Sequence, residues 1–238
     1  MTNAATDTTG KAGMGDIAEI FYAPSAVFAR RTDGKFGMPY LALVLLGAII
    51  FLATKGLIQP VIDAEISRAM AKAAAKNTMT PEALATATSF AKTIGAFGAI
   101  ALYAIGPFLV GLFIWIVGKI AKVEAIGTIA LMVATFSFFP RLVGSVVGAV
   151  LAAMIPEGAT ASAAAISLSP ARFVDAAASP VMAAILARFD LFLLWGIVLI
   201  AIGVRVAGRA TKGQAQAVAI GVWAIPTLLA LLGALRNG

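Results

Sequence analysis

The sequence predicts an all-α, polytopic integral membrane protein with five transmembrane helices and additional amphipathic helices at the membrane interface. Of the 238 residues, 61% are hydrophobic and only 12% are charged, whereas about a quarter of the residues in a soluble domain are charged. Three runs also lack any charged residue, at 36–54, 93–118 and 213–235. Each run is about as long as, or longer than, the ~20 residues that a helix needs to cross the hydrocarbon core.

Two further apolar segments are interrupted by single charges. Residues 123–155 contain Glu124 and Arg141, and the segment 181–204 contains Arg188 and Asp190. We therefore predict a five-helix membrane domain over residues 38–238, with spans at about 38–57, 93–118, 125–152, 181–204 and 214–235.

Residues 1–37 are predicted to form a short cytoplasmic N-terminal segment. Residues 1–15 are small and polar, so we expect them to be disordered. Residues 16–31 then place Ile17, Ile20, Phe21, Val27 and Phe28 on an apolar stripe that ends at Arg30 and Arg31. This pattern is typical of a short helix lying in the cytoplasmic interface. A simple lead-in to the first span is the alternative.

The connection between the first two spans contains a second amphipathic segment. Residues 60–77 carry Arg68, Lys72 and Lys76 in a basic row opposite an apolar face, which predicts a helix on the outer surface. Thr80 followed by Pro81 is the signature of a helix N-terminus, so the second membrane helix should start there. Ser179 and Pro180 repeat this signature before the fourth span.

The distribution of Lys and Arg predicts the orientation. Short basic flanks at Lys119 and Lys122, and again at Arg205, Arg209 and Lys212, favour a cytoplasmic side for the N-terminus. Five crossings then place the C-terminus on the opposite side. We expect the bacterial inner membrane, with the C-terminus in the periplasm.

Composition excludes several classes of function. The sequence contains no His and no Cys, so it has no His-cluster or thiolate metal site and no His general base. No G-x-S-x-G motif and no second intramembrane Asp are present. We therefore expect no enzyme activity, no metal and no cofactor. The net charge is +7, and most of the basic residues lie at span ends. This placement indicates membrane lipids as partners rather than nucleic acid.

Arg141 and Asp190 are the candidate site residues, because a charge at membrane depth is costly and normally faces the bundle interior. At ~1.5 Å per residue, both lie roughly 22 to 26 Å from the inner boundary, so we predict that they pair. Pro140 would kink the third helix beside Arg141, and Arg188 would extend to the outer headgroups. Alternatively, the third span ends near Arg141. Gly144 and Gly148 form a small-xxx-small pair that admits a neighbouring helix.

Three stretches resemble the Yip-domain family, five-span membrane proteins named for interaction with Ypt/Rab GTPases. They are IAEIFYAPSAVFAR, SFFPRLVGSVVG and DLFLLWGIVLIAIGVRVAGRATKGQAQAV, and the similarity covers roughly residues 17–235. The last is the most specific, with Asp190 at a helix start and Trp195 five residues on. Pro140 and Arg141 match the family pattern. The resemblance implies a five-helix bundle with a cytoplasmic N-terminus and an opposite C-terminus. Because the N-terminal segment is short, the chain looks like prokaryotic members, and a Rab-type GTPase is not an expected partner.

These observations favour a non-enzymatic integral membrane protein that organises membrane lipid or partner proteins. The expected partners are membrane lipids and either other membrane proteins or further copies of the chain. Two alternatives remain. One is a transporter or channel with a polar site around Arg141 and Asp190, and the other is an accessory subunit of a larger membrane complex.

Overall fold

A computed structural model describes residues 12–77, 79–156, 162–175 and 178–237. The N-terminal residues expected to be disordered lie mostly outside these ranges, as does Gly238. The described residues form helices, turns and loops, without strands. The α-helices are α1 (Asp16–Glu19), α2 (Pro24–Ala29), α3 (Gly37–Asn77), α4 (Pro81–Ile120), α5 (Ile126–Ser137), α6 (Phe139–Ala153), α7 (Pro180–Leu186), α8 (Leu191–Val206) and α9 (Lys212–Asn237).

The predicted all-α membrane fold is confirmed. Four helical segments of the described chain are long and apolar enough to cross a membrane: Gly37–Ala75, Ile100–Ile120, Ile126–Ala153 and Lys212–Gly233. The pair Pro180–Phe189 and Leu191–Val206 also passes this test, although it is bent by 52°. If the bent pair acts as one span, the number of spans is five.

α3 and α4 are the two longest helices, and both run well past the length of a membrane span. α3 continues through Pro60 without a break, so the predicted amphipathic segment 60–77 is joined directly to the first span. Proline removes one helical hydrogen bond, but the Ala-rich residues that follow favour helix strongly. α4 starts as predicted, because the Thr80 hydroxyl accepts a hydrogen bond from the Ala83 amide at 3.3 Å and Pro81 lies in the first turn.

α5 is the centre of the bundle. Nine of its side chains are buried, including Ile129, Met132 and Phe136, and it packs against α4 and α8. A helix that is apolar on every side is stable only when neighbouring helices or lipid surround it. The third span therefore forms the core around which the other helices are arranged.

The N-terminal segment packs onto this core. Ile20, Val27 and Phe28 are completely buried, and α2 lies against α8. The rings of Phe28 and Phe136 meet edge to face with centroids 5.9 Å apart. The apolar stripe predicted for this segment is therefore covered by protein.

Four charged residues, Asp16, Glu19, Arg30 and Arg31, form a compact group that we call the N-terminal clasp. Arg30 pairs with both Asp16 and Glu19, and Arg31 pairs with Asp16 at 2.7 Å. Arg31 also donates to the carbonyls of Gly13 and Lys35, at 3.1 Å each, and stacks on the Phe136 ring. The clasp thereby ties the segment before α3 to the end of α5.

Candidate functional site

Two cavities inside the bundle meet at Arg141. The larger, of about 490 Å³, lies between α3, α4, α6, the loop 163–169 and the start of α8. The smaller, of about 100 Å³, lies between α4, the junction of α5 with α6, α8 and α9. We call them the large chamber and the small chamber. Arg141 and Leu193 line both.

Arg141 is positioned by the junction of α5 and α6. The third span changes helix at Phe138, and Pro140 lies in the first turn of α6, where its missing N–H leaves no helical bond unmade. The Arg141 amide donates to the Phe138 carbonyl at 3.0 Å. Its guanidinium carbon lies 5.0 Å from the centre of the Phe138 ring, a cation–π contact. The sequence Phe-Phe-Pro-Arg thus fixes a cation at the wall shared by the chambers.

Asp190 is the N-cap of α8. Its Oδ1 accepts from the amides of Phe192 and Leu193, at 3.0 and 3.1 Å, and its Oδ2 accepts from the amide of Leu168 at 3.1 Å. A carboxylate in this position satisfies otherwise unpaired amides and interacts favourably with the positive end of the helix dipole. Asp190 therefore joins the loop 163–169 to α8.

Arg141 and Asp190 line the same large chamber. The two charges interact electrostatically, but the ion pairs of 4.0 Å or less among the described residues do not include them. Their direct pairing stays a prediction.

Arg188 lies just before the start of α8. A 3₁₀ turn, Ala187–Phe189, precedes the bend at Asp190, and Arg188 lines the small chamber. Its extension to the outer headgroups stays a prediction. Its Nε is buried without a hydrogen-bond partner. Its carbonyl accepts from the Trp223 indole N–H at 3.1 Å. Two arginines, Arg141 and Arg188, thus line one small chamber.

Hydroxyl groups line the large chamber together with apolar walls. The Tyr103 hydroxyl lies 2.7 Å from the Ser145 hydroxyl and donates to the Arg141 carbonyl at 3.2 Å. On the opposite wall, the hydroxyls of Ser167 and Ser169 are 2.7 Å apart. These donors and acceptors sit among aliphatic and aromatic side chains, so the chamber is amphiphilic.

The two predicted glycines shape this chamber. A Cβ at Gly144 would lie 2.8 Å from the Phe192 ring, and one at Gly148 would lie 2.9 Å from the Ile166 carbonyl. Gly144 thus admits α8, and Gly148 admits the loop. Trp195 does not line either described chamber. It packs edge to face on Phe21, with centroids 5.9 Å apart, and so helps hold the N-terminal segment.

Sequence reasoning missed Arg188, Tyr103 and Ser145 as chamber residues. A signal for Arg188 was present, because an Asp directly before an apolar run is a helix N-cap. A helix start at Asp190 breaks the predicted fourth span and takes Arg188 off its helical face. Tyr103 and Ser145 lie 42 positions apart, and nothing local in the sequence connects them.

The residues of the two chambers are suited to binding a ligand. The described residues contain no group of three or more potential metal ligands, and the sequence supplies no His or Cys. Two arginines, one capped carboxylate and several hydroxyls provide hydrogen bonds and positive charge for a ligand with an anionic group.

No curated protein and no solved structure matches this chain. A family model does match, the Yip1 domain, over residues 18–234. That range contains all membrane spans, both chambers and the N-terminal clasp except Asp16. The resemblance found in the three sequence stretches is therefore confirmed over nearly the whole length, and the chain belongs to the Yip1 domain family of membrane proteins.

Proposed function

We propose that this Yip1-family membrane protein is non-enzymatic and organises membrane lipid by binding it in the large chamber. The observation that carries the proposal is the amphiphilic lining of that chamber. Ile58, Leu102 and Phe192 provide apolar walls, while Arg141 and the Tyr103 hydroxyl provide polar contacts. A lipid combines the same two kinds of surface in one molecule.

Energetics favour an amphiphile over a small polar solute. Contact between apolar walls and acyl chain yields the dispersion gain of close packing, and a buried arginine needs an anion or an acceptor to offset its desolvation. A lipid satisfies both requirements, whereas a small solute satisfies only the second and leaves the apolar walls without a partner.

Filling the large chamber tests the proposal. Val147 lines the chamber, whereas its neighbour Val146 is exposed on the outside of α6 and lines neither chamber. Val147→Trp should reduce the lipid that remains bound after purification in mild detergent, measured by mass spectrometry of the extract. Val146→Trp adds the same surface outside and should leave the retained lipid unchanged. Equal lipid retention in wild type and both variants would contradict the proposal.

A transporter or channel is the second candidate. The two chambers share the lining residues Arg141 and Leu193, and two adjoining cavities with charged residues in their walls are the expected geometry of a solute pathway. Solute flux in proteoliposomes that is lost in Asp190→Asn would place this candidate first.

The non-enzymatic part of the proposal has its own test. Chemical modification of lipid or peptide by the purified protein, abolished by a point mutation, would contradict it.

A role as an accessory subunit, or as a self-associating protein, follows from neither chamber. Co-purification in mild detergent tests it. A single stoichiometric partner that is lost only when exposed residues of α3 or α4 are changed would favour that role over lipid organisation.

We also propose a cytoplasmic N-terminus and an opposite C-terminus in a bacterial inner membrane, supported by the Lys and Arg counts of the short flanks. Because the chain has no Cys, single cysteines can be introduced and labelled from outside with an impermeant maleimide. Positions 72 and 172 should react in intact cells, and positions 119 and 209 should react only after permeabilisation. The reverse pattern would mean an inverted orientation.

A further inference from the structure

The small chamber has an excess of positive charge. Arg141 and Arg188 both line it, and their like charges repel each other. The remaining lining residues are uncharged. Asp190, on the adjoining large chamber, already accepts hydrogen bonds from three backbone amides.

The other polar groups of the chamber are occupied. The Trp223 indole donates to the Arg188 carbonyl at 3.1 Å, and the Thr227 hydroxyl donates to the Trp223 carbonyl at 2.6 Å. By contrast, Arg188 Nε is buried and has no acceptor. The guanidinium groups are therefore the donors that remain for a ligand, and the ligand they suit is an anion.

The depth of the site is compatible with a lipid headgroup. Arg141 lies 15 residues after Ile126, the first residue of α5, which at ~1.5 Å per residue is ~22 Å along a hydrocarbon core of ~30 Å. The chamber thus lies toward the end of the span that is remote from the α4–α5 connection. A phosphate there stays close to one headgroup layer.

We propose that Arg141 and Arg188 together bind the phosphate of an anionic phospholipid, with its acyl chains along the apolar walls of the large chamber. The choice of lipid as the source of the phosphate rests on the proposed function. Guanidinium groups present paired N–H donors that match the oxygens of a phosphate. The bound anion would offset both positive charges and supply the acceptor that Arg188 Nε lacks.

Ligand binding to delipidated protein in detergent tests the proposal. Three ligands separate the parts of the lipid: phosphatidylglycerol, a diacylglycerol with the same chains and no phosphate, and inorganic phosphate. Binding is measured by native mass spectrometry and by the shift in thermal midpoint. Arg141→Gln and Arg188→Gln each remove one cation. Arg205→Gln is the matched control, because Arg205 is an exposed arginine in the last turn of α8.

Phosphatidylglycerol should bind wild type and Arg205→Gln with affinities within about twofold of each other. Either chamber variant should bind it about tenfold more weakly, the effect of one charge-assisted hydrogen bond. Arg188→Lys keeps the charge but loses the paired donors, so it should fall between wild type and Arg188→Gln. This variant keeps the test valid if the charge-removing ones do not fold.

Two results would overturn the proposal: unchanged phosphatidylglycerol affinity in Arg141→Gln and Arg188→Gln, or equally tight binding of diacylglycerol. If inorganic phosphate protects the wild type as strongly as the lipid does, and Arg188→Gln abolishes that protection, the anion site stands and the phosphate is free rather than lipid-borne. The Val147→Trp experiment and the flux assay test the proposed function separately, since neither depends on Arg188.

Discussion

The N-terminal clasp and the chambers both hold arginines inside the protein, but they treat the charge differently. In the clasp, Arg30 and Arg31 face Asp16 and Glu19, so two cations are balanced by two carboxylates in direct contact. In the chambers, two arginines share the neighbourhood of one carboxylate, and that carboxylate caps a helix.

The difference separates structural charges from charges available to a ligand. A buried ion pair in direct contact has its desolvation largely offset within the protein, so it has no need of a further partner. A partly buried arginine without a direct counter-ion keeps part of its desolvation cost until an anion binds. By this reasoning the clasp fixes the fold of the N-terminal segment, and the chambers are where we propose that the ligand binds.

The largest expected effect concerns Asp16, whose carboxylate contacts both clasp arginines. Asp16→Asn leaves Arg31, which is 4% exposed, without its charged partner. We expect a loss of about 3 kcal/mol in the free energy of unfolding, typical of breaking a buried pair on one side. Thermal or denaturant unfolding in detergent measures it.

Asp33→Asn is the control for this prediction. Asp33 pairs with Lys35, whose side chain is 84% exposed, so its removal should cost no more than about 0.5 kcal/mol. If Asp16→Asn were as mild as Asp33→Asn, the clasp would not be a structural element, and the contrast with the chambers would fail.

The clasp should also make stability depend on pH in the acid range. Burial opposes ionisation of Asp16, but hydrogen bonds from Arg30 and Arg31 outweigh this and hold its pKa below the ordinary value. A depressed pKa contributes stability above the unfolded value of about 3.9 and loses it as pH falls through the folded value. The stability difference between wild type and Asp16→Asn should therefore be constant above about pH 5 and shrink below about pH 4. A difference that persists unchanged into the acid range would contradict this assignment.

A smaller effect should appear within the chambers, between Arg141 and Asp190. Asp190→Asn keeps an Oδ1 acceptor for the α8 cap, since Asn caps helices about as well as Asp, and removes the charge. Arg141→Gln removes the other charge. In a double-mutant cycle we expect a coupling of about 1 kcal/mol, because the two charges line one chamber but form no ion pair of 4.0 Å or less in the described structure.

Any loss of the hydrogen bond from the Leu168 amide occurs in both arms of this cycle and cancels. Effects that add within about 0.5 kcal/mol would mean that the two residues are independent. Arg141 would then act only through Phe138 and the proposed ligand.

The sequence was sufficient to predict the fold class because a long apolar run without charges identifies a membrane-spanning helix. The start of α4 was also predictable, since Thr80 and Pro81 are a local signal. The break at Asp190 was missed although its N-cap signal is local, because a hydropathy pattern averages over many residues. Treating the fourth span as one straight helix then left Arg188 out of the predicted site.

The clasp and the chambers needed tertiary information for a different reason. Asp16 and Arg31 are separated by 15 positions, and they meet only because the chain reverses between α1 and α2 near Pro24. From the sequence alone, Arg30 and Arg31 were therefore predicted to lie at the membrane interface. In the same way, the presence of Arg141 and Arg188 at one cavity depends on how α6, α8 and α9 pack, which no spacing along the chain encodes.

The smallest expected effect decides to which region Trp195 belongs. Its ring contacts Phe21 in the N-terminal segment, and its side chain is partly exposed. Trp195→Leu removes an edge-to-face pair whose Trp ring is partly exposed, so it should lower stability by only about 0.5 kcal/mol. Hydrogen exchange should speed up in residues 16–31, which the clasp holds in place, and the affinity for phosphatidylglycerol should not change.

Phe192→Leu is the matched control, because Phe192 lies on the same helix but lines the large chamber against Gly144. This variant should change lipid binding and leave exchange in residues 16–31 unaffected. If Trp195→Leu weakened lipid binding instead, the N-terminal segment and the chambers would be one coupled unit, and the division between structural and ligand-binding charges would have to be redrawn along α8.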